Sequence, residues 1–234
     1  MAEAHPHIYD QPAYRVPEAA RILALPVGTV SAWCFGHDYL LSDGTKKRFA
    51  RVIEAAQQKR HELSFVNLCE LHLLAVSRRQ SGIKLAKVRR AIDFLRRELG
   101  VPRPLATQQF LTNGVGLFVE HAGELLNVSE QGQQALREDF AQALARIEFG
   151  GHGGPVLLFP FTRNASPRDE QPRSVVVDPA RSFGRPVVAG AYVRTEVVVQ
   201  RFRAGDTIAE MADDYAVPMA VIEEALRFEH RSAA

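Results

Sequence analysis

Cysteine is almost missing from this 234-residue sequence: only Cys34 and Cys69 occur, without the spacing of a metal ribbon or a disulfide framework. That excludes a small cross-linked secreted scaffold and fits a reducing compartment. Long apolar runs are also lacking. The stretch from Val156 to Phe161 is far short of the roughly twenty residues a membrane-spanning helix needs, and the N-terminus has no basic-then-apolar leader. Charge of one sign is scarcely in excess, with 29 Lys and Arg against 27 Asp and Glu and a net charge of +2, so net charge alone selects no partner. Catalytic signatures are missing as well. Gly150 to Gly154 carries no lysine and leads into no helix start that would hold phosphate, and His61-Glu62 lacks the second histidine of a zinc-protease helix. Cys69 and His72 lie one helical turn apart with Cys34 as a candidate third ligand, but Cys69 borders an apolar stripe and reads as core. The expectation is a soluble, cytoplasmic protein that is not an enzyme, with no membrane segment, no cofactor and no metal.

What is present is an ordinary globular composition, 46% hydrophobic and 24% charged, in a chain long enough for two domains. The charge is unevenly spread. Lys46, Lys47, Arg48, Arg51, Lys59 and Arg60 face the single acid Glu54, and a second basic stretch runs from Arg78 to Arg97. The tail reverses this with Asp206, Glu210, Asp213, Asp214, Glu223, Glu224 and Glu229.

Val16 to Leu23 reads as a short helix with Pro17 in its first turn, broken at Leu25-Pro26 and restarted through Val30 to Trp33. Ala20, Leu23, Leu25, Val30 and Trp33 then form a miniature core, which is the helix-turn-helix pattern. Tyr39 to Leu41, an Asp43-Gly44 turn and Lys46 to Phe49 predict a hairpin, a wing with a basic returning strand. Helices are predicted over Ser64 to Gln80, Leu85 to Leu99 and Glu130 to Ile147, with a hairpin over residues 115 to 128. Gly150 to Pro155 and Asn164 to Arg173 read as linker, with Val156 to Phe161 between them as a strand or docking arm. Two short strands, at Ser174 to Asp178 and Pro186 to Val188, and three helices, over 196–203, 207–215 and 218–228, complete the chain. The fold class expected is therefore α+β and mainly helical. A winged helix-turn-helix domain occupies residues 1–150, and a small β-hairpin and three-helix domain occupies 155–234.

A second helix entering the major groove would turn Gly28, Thr29, Ser31 and Ala32 toward DNA, the small side chains permitting close approach. Lys46, Lys47 and Arg48, with Arg15 and Arg51 nearby, would neutralise phosphates. The arginines between Arg78 and Arg97 either extend that footprint or decorate a solvated helix. The tail helices are spaced like another helix-turn-helix, but their exposed acids would repel DNA, so a protein-binding or dimerisation role is expected there.

Tyr14 to Trp33 resembles the first motif of MerR-type and excisionase-type helix-turn-helix domains. Val177-Asp178-Pro179, Gly184-Arg185-Pro186-Val187-Val188, Arg194, Ala204-Gly205-Asp206-Thr207-Ile208 and Asp213-Asp214-Tyr215 resemble a small antitoxin-like domain found beside PIN-type ribonuclease toxins. Joined in this order, the two parts resemble a long VapB-type antitoxin, although Ala189 and Ala191 stand where that tail often has glycine. The resemblance implies a homodimeric repressor that binds double-stranded DNA at its own promoter and neutralises a PIN-domain toxin encoded nearby. A carboxylate-rich PIN active site is matched chemically by arginine, which nominates Arg194, Arg201 and Arg203, with Phe202 as an apolar anchor. The rival expectation is a MerR-like regulator whose tail senses a small ligand. Such proteins usually carry one long helix between their parts, and the helix from Glu130 is too short for that.

Overall fold

The computed structural model describes residues 8–40, 42–79, 85–126, 129–151, 153–163 and 171–231. The chain begins with β1 (Tyr14–Arg15), α1 (Val16–Leu23) and α2 (Val27–Phe35), followed by β2 (His37–Leu40), β3 (Lys46–Phe49) and β4 (Glu62–Leu63). Pro17 opens α1, and Ala24 ends it in the left-handed conformation at φ 51°. The Leu25 amide bonds back to the Ala20 carbonyl at 2.9 Å, which turns Leu25 inward before Pro26 starts α2. Ala20, Leu23, Leu25, Val30 and Trp33 are all buried, as the apolar spacing predicts. β1 pairs antiparallel with β4 and closes this unit, a pairing too short to show in the sequence.

The helical body consists of α3 (Phe65–Arg79), α4 (Leu85–Leu99), α5 (Val115–Leu126) and α6 (Glu130–Leu144). Every residue from Leu63 to Val76 is buried, so α3 is an all-round core helix rather than a one-sided one. Its polar members find partners: Asn67 donates to Glu70 at 3.0 Å and to the Glu54 carbonyl at 2.8 Å, and His72 meets the Ala143 carbonyl at 3.2 Å. Burial raises the Glu70 carboxyl to about 7 against the opposing pull of Arg103, Asn67 and Arg96.

The hairpin expected over 115–128 is corrected: residues 115 to 126 are helical, while Asn127 and Val128 lie outside the described residues. Val115, Phe118 and Val119 recur at helical spacing, with the latter two buried, and a π-helical turn at Phe110–Gly114 feeds the helix. Phe118 meets the Phe110 and Phe140 rings nearly edge-on, at 6.3 and 5.1 Å. Tertiary packing therefore overrode the strand-forming look of Leu117-Phe118-Val119.

α6 also stops short of its expected end at Ile147. β5 (Ile147–Phe149) follows and pairs with β6 (Pro155–Leu158), and Gly150, Gly151, Gly153 and Gly154 lie in the turn between them, with Gly150 donating to the Gly154 carbonyl at 2.9 Å. The glycines expected as linker are thus a hairpin turn, where Gly153 supplies a φ of +77°.

The last part is β7 (Val175–Val176), β8 (Val187–Val188), α7 (Thr195–Ala204), α8 (Ile208–Tyr215) and α9 (Met219–His230), in the order read from the sequence. A bridge between Leu158 and Val177 connects β6 to the chain just beyond β7, and Val177 belongs to the large core. Val188, Val198, Met211, Ala212, Ile222 and Ala225 form a smaller core of their own. This tail is docked on α1. Arg21 pairs with Glu229 at 2.6 Å, Arg185 pairs with Glu18, and Arg231 donates to the carbonyls of Arg21 and Ile22 at the end of α1. The buried Tyr14 hydroxyl donates to the Gly184 carbonyl at 3.0 Å. Among the described residues, no helix is long and apolar enough to cross a membrane.

Candidate nucleic-acid interface

α2 leads into the β2–β3 hairpin through Gly36, whose φ is +71° and whose missing side chain leaves room for the Phe49 carbonyl. The Trp33 carbonyl accepts from the amides of Val52 and Ile53 at 2.7 and 3.0 Å, so the strand leaving the hairpin is tied to the end of α2. Arg89 of α4 lies 4.9 Å over the Phe49 ring and braces the base of the hairpin from the other side. The base of the hairpin is thereby tied to the end of α2.

Beyond that base the hairpin is solvent-exposed along β2 and most of β3. The register pairs Asp38 with Arg48, Tyr39 with Lys47 and Leu40 with Lys46. Strand alternation then puts Lys46 and Arg48 on one face with Asp38, and Lys47 on the other with Tyr39, His37 and Phe49. Asp38 takes one of these cations, pairing with Lys46 at 3.1 Å. Leu40 is 72% exposed near the tip.

On α2, Gly28 is exposed and faces open space, while Thr29, Ser31 and Ala32 are half-buried. Val27, which the sequence reading passed over, is exposed at the start of the same helix. Arg15 is exposed where it precedes α1, and Arg51 is exposed beside its partner Glu54 at 3.3 Å. The structure thus joins Gly28, Thr29, Ser31, Ala32, Lys46, Lys47, Arg48 and Arg51 along one short stretch of fold. Arg15 sits apart on β1, opposite Glu62. Of the second basic stretch, Arg96 is occupied by Asp93 and the Pro102 carbonyl, and Arg90 and Arg97 are exposed. The side chains of Arg78 and Arg79, and Lys84, lie outside the described residues.

Two family models match parts of this chain. Residues 12–92 match a family described as "Putative DNA-binding HTH domain", and residues 175–228 match a "Protein of unknown function (DUF433)" family. The chain is 29% identical to "Putative antitoxin VapB45" of Mycobacterium tuberculosis, over 93% of this chain and 94% of that protein. It is 22% identical to "Uncharacterized protein Rv2308" of the same organism, over 94% of this chain and 90% of the relative. The crystal structure of Rv2018 from Mycobacterium tuberculosis has a similar fold, with a TM-score of 0.65 and 25% identity over 93% of this chain and 99% of that one. The helix-turn-helix match covers the helix pair and hairpin described above, and the other covers β7 through most of α9.

The tail repeats the geometry of the first helix pair. α8 ends at Ala216 with φ 51° and ψ 45°, the same values as Ala24 after α1, and Pro218 opens α9 as Pro26 opens α2. The Val217 amide bonds to the Ala212 carbonyl at 3.0 Å, matching the Leu25 to Ala20 bond. The surfaces differ. Where α2 presents Gly28 and Ser31, α9 presents Ala220 and the exposed Glu223, with Asp213 and Asp214 beside them on α8.

Of the tail residues named from sequence, Arg194 is exposed at the start of α7, and Phe202 and Arg203 are exposed at its end. Arg201 is engaged within the chain by Asp206 and Asp214 at 2.5 and 2.6 Å, and hydrogen bonding to Tyr215 first, then to these two carboxylates, raises its guanidinium pKa above the ordinary range. The sequence reading missed Phe183 and Tyr192, 92% and 46% exposed, on the turns that follow β7 and precede α7. The one available signal was an aromatic residue inside the turn sequence Ser182-Phe183-Gly184.

Proposed function

We propose that this chain is an antitoxin-type DNA-binding regulator that represses its own promoter and neutralises a PIN-domain ribonuclease encoded nearby. The observation that carries the DNA-binding half is the anchoring of a basic hairpin to the second helix of a helix-turn-helix through Gly36, the Trp33 carbonyl and Arg89. In this reading α2 enters the major groove of double-stranded DNA and the hairpin is a MerR-like wing on the backbone. Gly28, Thr29, Ser31 and Ala32 let the backbone approach, while Lys46, Lys47, Arg48, Arg51 and Arg15 neutralise phosphates. The likeness to an antitoxin over nearly the whole chain supports the second half.

Residues 1–150 carry the DNA contact and residues 155–234 the toxin contact and homodimerisation, since one short recognition helix reads only a half-site. Arg194, Phe202 and Arg203 are the tail groups free to meet a carboxylate-lined site. The chemistry is binding rather than catalysis, and it requires no cofactor or metal.

The test is binding of the purified protein to the DNA upstream of its own gene across a salt series, repeated with a Lys46/Lys47/Arg48→Ala variant. Removing three phosphate contacts lowers the log–log salt slope by up to about 2.7, and by less if Asp38 keeps Lys46 from the DNA. An unchanged slope removes the hairpin from the interface. A ligand-responsive regulator is favoured by a single observation, a cavity of about 460 Å³ lined by Val115, Arg137, Ala141, Leu144 and Ala145. In that case DNA affinity would respond to a small apolar compound and not to the neighbouring protein.

A further inference from the structure

The last turn of α9 and the chain beyond β6 enclose an open cavity of about 540 Å³, lined by Thr162, Arg163, Arg227, His230 and Arg231. Three guanidinium groups around one opening repel one another, so the fold holds them there against that cost. Beneath them lies Glu224, only 4% exposed. Its Oε1 accepts from Nε and Nη2 of Arg163 at 2.9 and 2.6 Å and from Arg227, and the Thr162 hydroxyl donates to its Oε2 at 2.5 Å. Burial alone would raise this carboxyl, but the bonds from Arg163 and Thr162 and the charge of Arg227 hold it below the ordinary range.

Neutralising Glu224 requires one arginine, and the site supplies more. Arg231 donates to the carbonyls of Phe161, Phe228, Arg21 and Ile22, which seats the tail on α1 but brings no negative charge to cancel its own. Glu229, the acid next to His230, is turned to Arg21 and Thr195 instead. Among the described residues the lining therefore keeps a surplus of two positive charges over Glu224. Donors are in surplus as well. Glu224 occupies only part of the Arg163 fork and a single nitrogen of Arg227. His230 bonds the Leu226 carbonyl through Nδ1 at 2.7 Å, which leaves Nε2 as the ring nitrogen for a ligand.

We infer that this cavity is a phosphate-binding site, with Arg163 and Arg227 as the donors, prearranged by the buried Glu224, and His230 and Arg231 at its border. The inference does not rest on the antitoxin reading. A phosphate group, close to doubly charged and with several terminal oxygens, matches both the surplus charge and the planar forks of arginine. The cavity offers a base no ring to stack on, since Phe228, 4.1 Å beneath the Arg231 guanidinium, is buried. What is recognised is thus the phosphate itself, whether carried by a small phosphorylated compound or by a nucleic-acid backbone. Asp169 and Glu170, acids of the same chain a few residues beyond Arg163, lie outside the described residues.

The test is calorimetric titration of the full-length protein with inorganic pyrophosphate, against sodium chloride of equal ionic strength, for the wild type, Arg163→Gln and Arg227→Gln. Each variant keeps one arginine on Glu224 and should melt in chloride as the wild type does. Each should bind pyrophosphate roughly tenfold or more weakly, and pyrophosphate should raise the melting point of the wild type more than that of either variant. Binding to a random-sequence DNA duplex across a salt series separates the two sources. A log–log slope lowered by about 0.9 in each variant supports the site with the backbone as its ligand. An unchanged slope beside weakened pyrophosphate binding supports it with a small phosphorylated compound. Pyrophosphate binding that is equal in all three proteins, or absent from the wild type, overturns the site. Binding that emerges only in an Asp169→Asn/Glu170→Gln variant overturns it too, by making those acids the occupant. The hairpin is untouched by these substitutions, so the DNA-binding reading stands or falls separately.

Discussion

Arg146 offers a quantitative test of how the β6 region is joined to the helical body. Its guanidinium is buried, has no carboxylate partner among the described residues, and donates to the carbonyls of Phe159, Gln171, Pro172 and Pro160 at 2.6, 2.9, 2.8 and 3.3 Å. It also lies 5.0 Å from the centre of the Phe161 ring. Burial, helped by nearby Arg173, lowers its pKa to about 10, so it remains charged at neutral pH. Truncation to alanine removes these charge-assisted bonds, each worth about 1.5–3 kcal/mol before desolvation is counted, and leaves the carbonyls to find water. Relief of the buried cation cancels part of that, for a net loss of about 3–5 kcal/mol. For a chain of this size each kcal/mol moves the melting point by about 2–4 °C, so Arg146→Ala should melt on the order of 10 °C lower. Arg146→Lys should recover only part, because one ammonium cannot reproduce a planar fork spread over four acceptors. The assay is thermal unfolding followed by circular dichroism. A melting point for Arg146→Ala equal to that of the wild type would show that these bonds hold nothing together.

Glu70 makes the fold sensitive to pH in a defined direction. Its folded pKa, near 7, lies above the unfolded value, so the native state binds the extra proton and the stability associated with it is present below about pH 4.5 and lost as pH rises through 7. Glu70→Gln should flatten that part of the stability profile and raise the melting point at pH 8 relative to the wild type; identical profiles would refute it. Gly184→Ala should be strongly destabilising, by about 2 kcal/mol or more, because it combines a positive φ with a collision against the Tyr14 hydroxyl. Urea unfolding of Gly184→Ala beside Tyr14→Phe separates the collision from the lost hydrogen bond.

The parts of this fold legible in the sequence were those written in local chemistry. Pro17 and Pro26 fixed helix starts, Asp43-Gly44 fixed the turn of a hairpin, and Val217-Pro218 separated the last two helices. What escaped was set by distant packing. Leu117-Phe118-Val119 looks like a strand until Phe110 and Phe140 supply the rings that Phe118 meets in a helix. Gly150 to Gly154 looks like a linker until Arg146 and β6 fold back across it. The helix pair and its basic hairpin were visible because they occupy one continuous stretch. The corner around Phe183 was not, since Tyr14, which supports it, lies 170 residues away in the chain.

The grip of Arg231 and Glu229 on the far end of α1 has a thermodynamic corollary. The first helix of the proposed DNA-reading pair is also part of the seat of the tail, so any ligand of the tail that prefers another seating must work against α1. Linkage is reciprocal: by whatever factor such a ligand changes affinity for DNA, DNA changes affinity for that ligand. Arg21 and Glu229, which touch neither proposed interface, are then the residues through which occupancy at one end of the molecule is felt at the other.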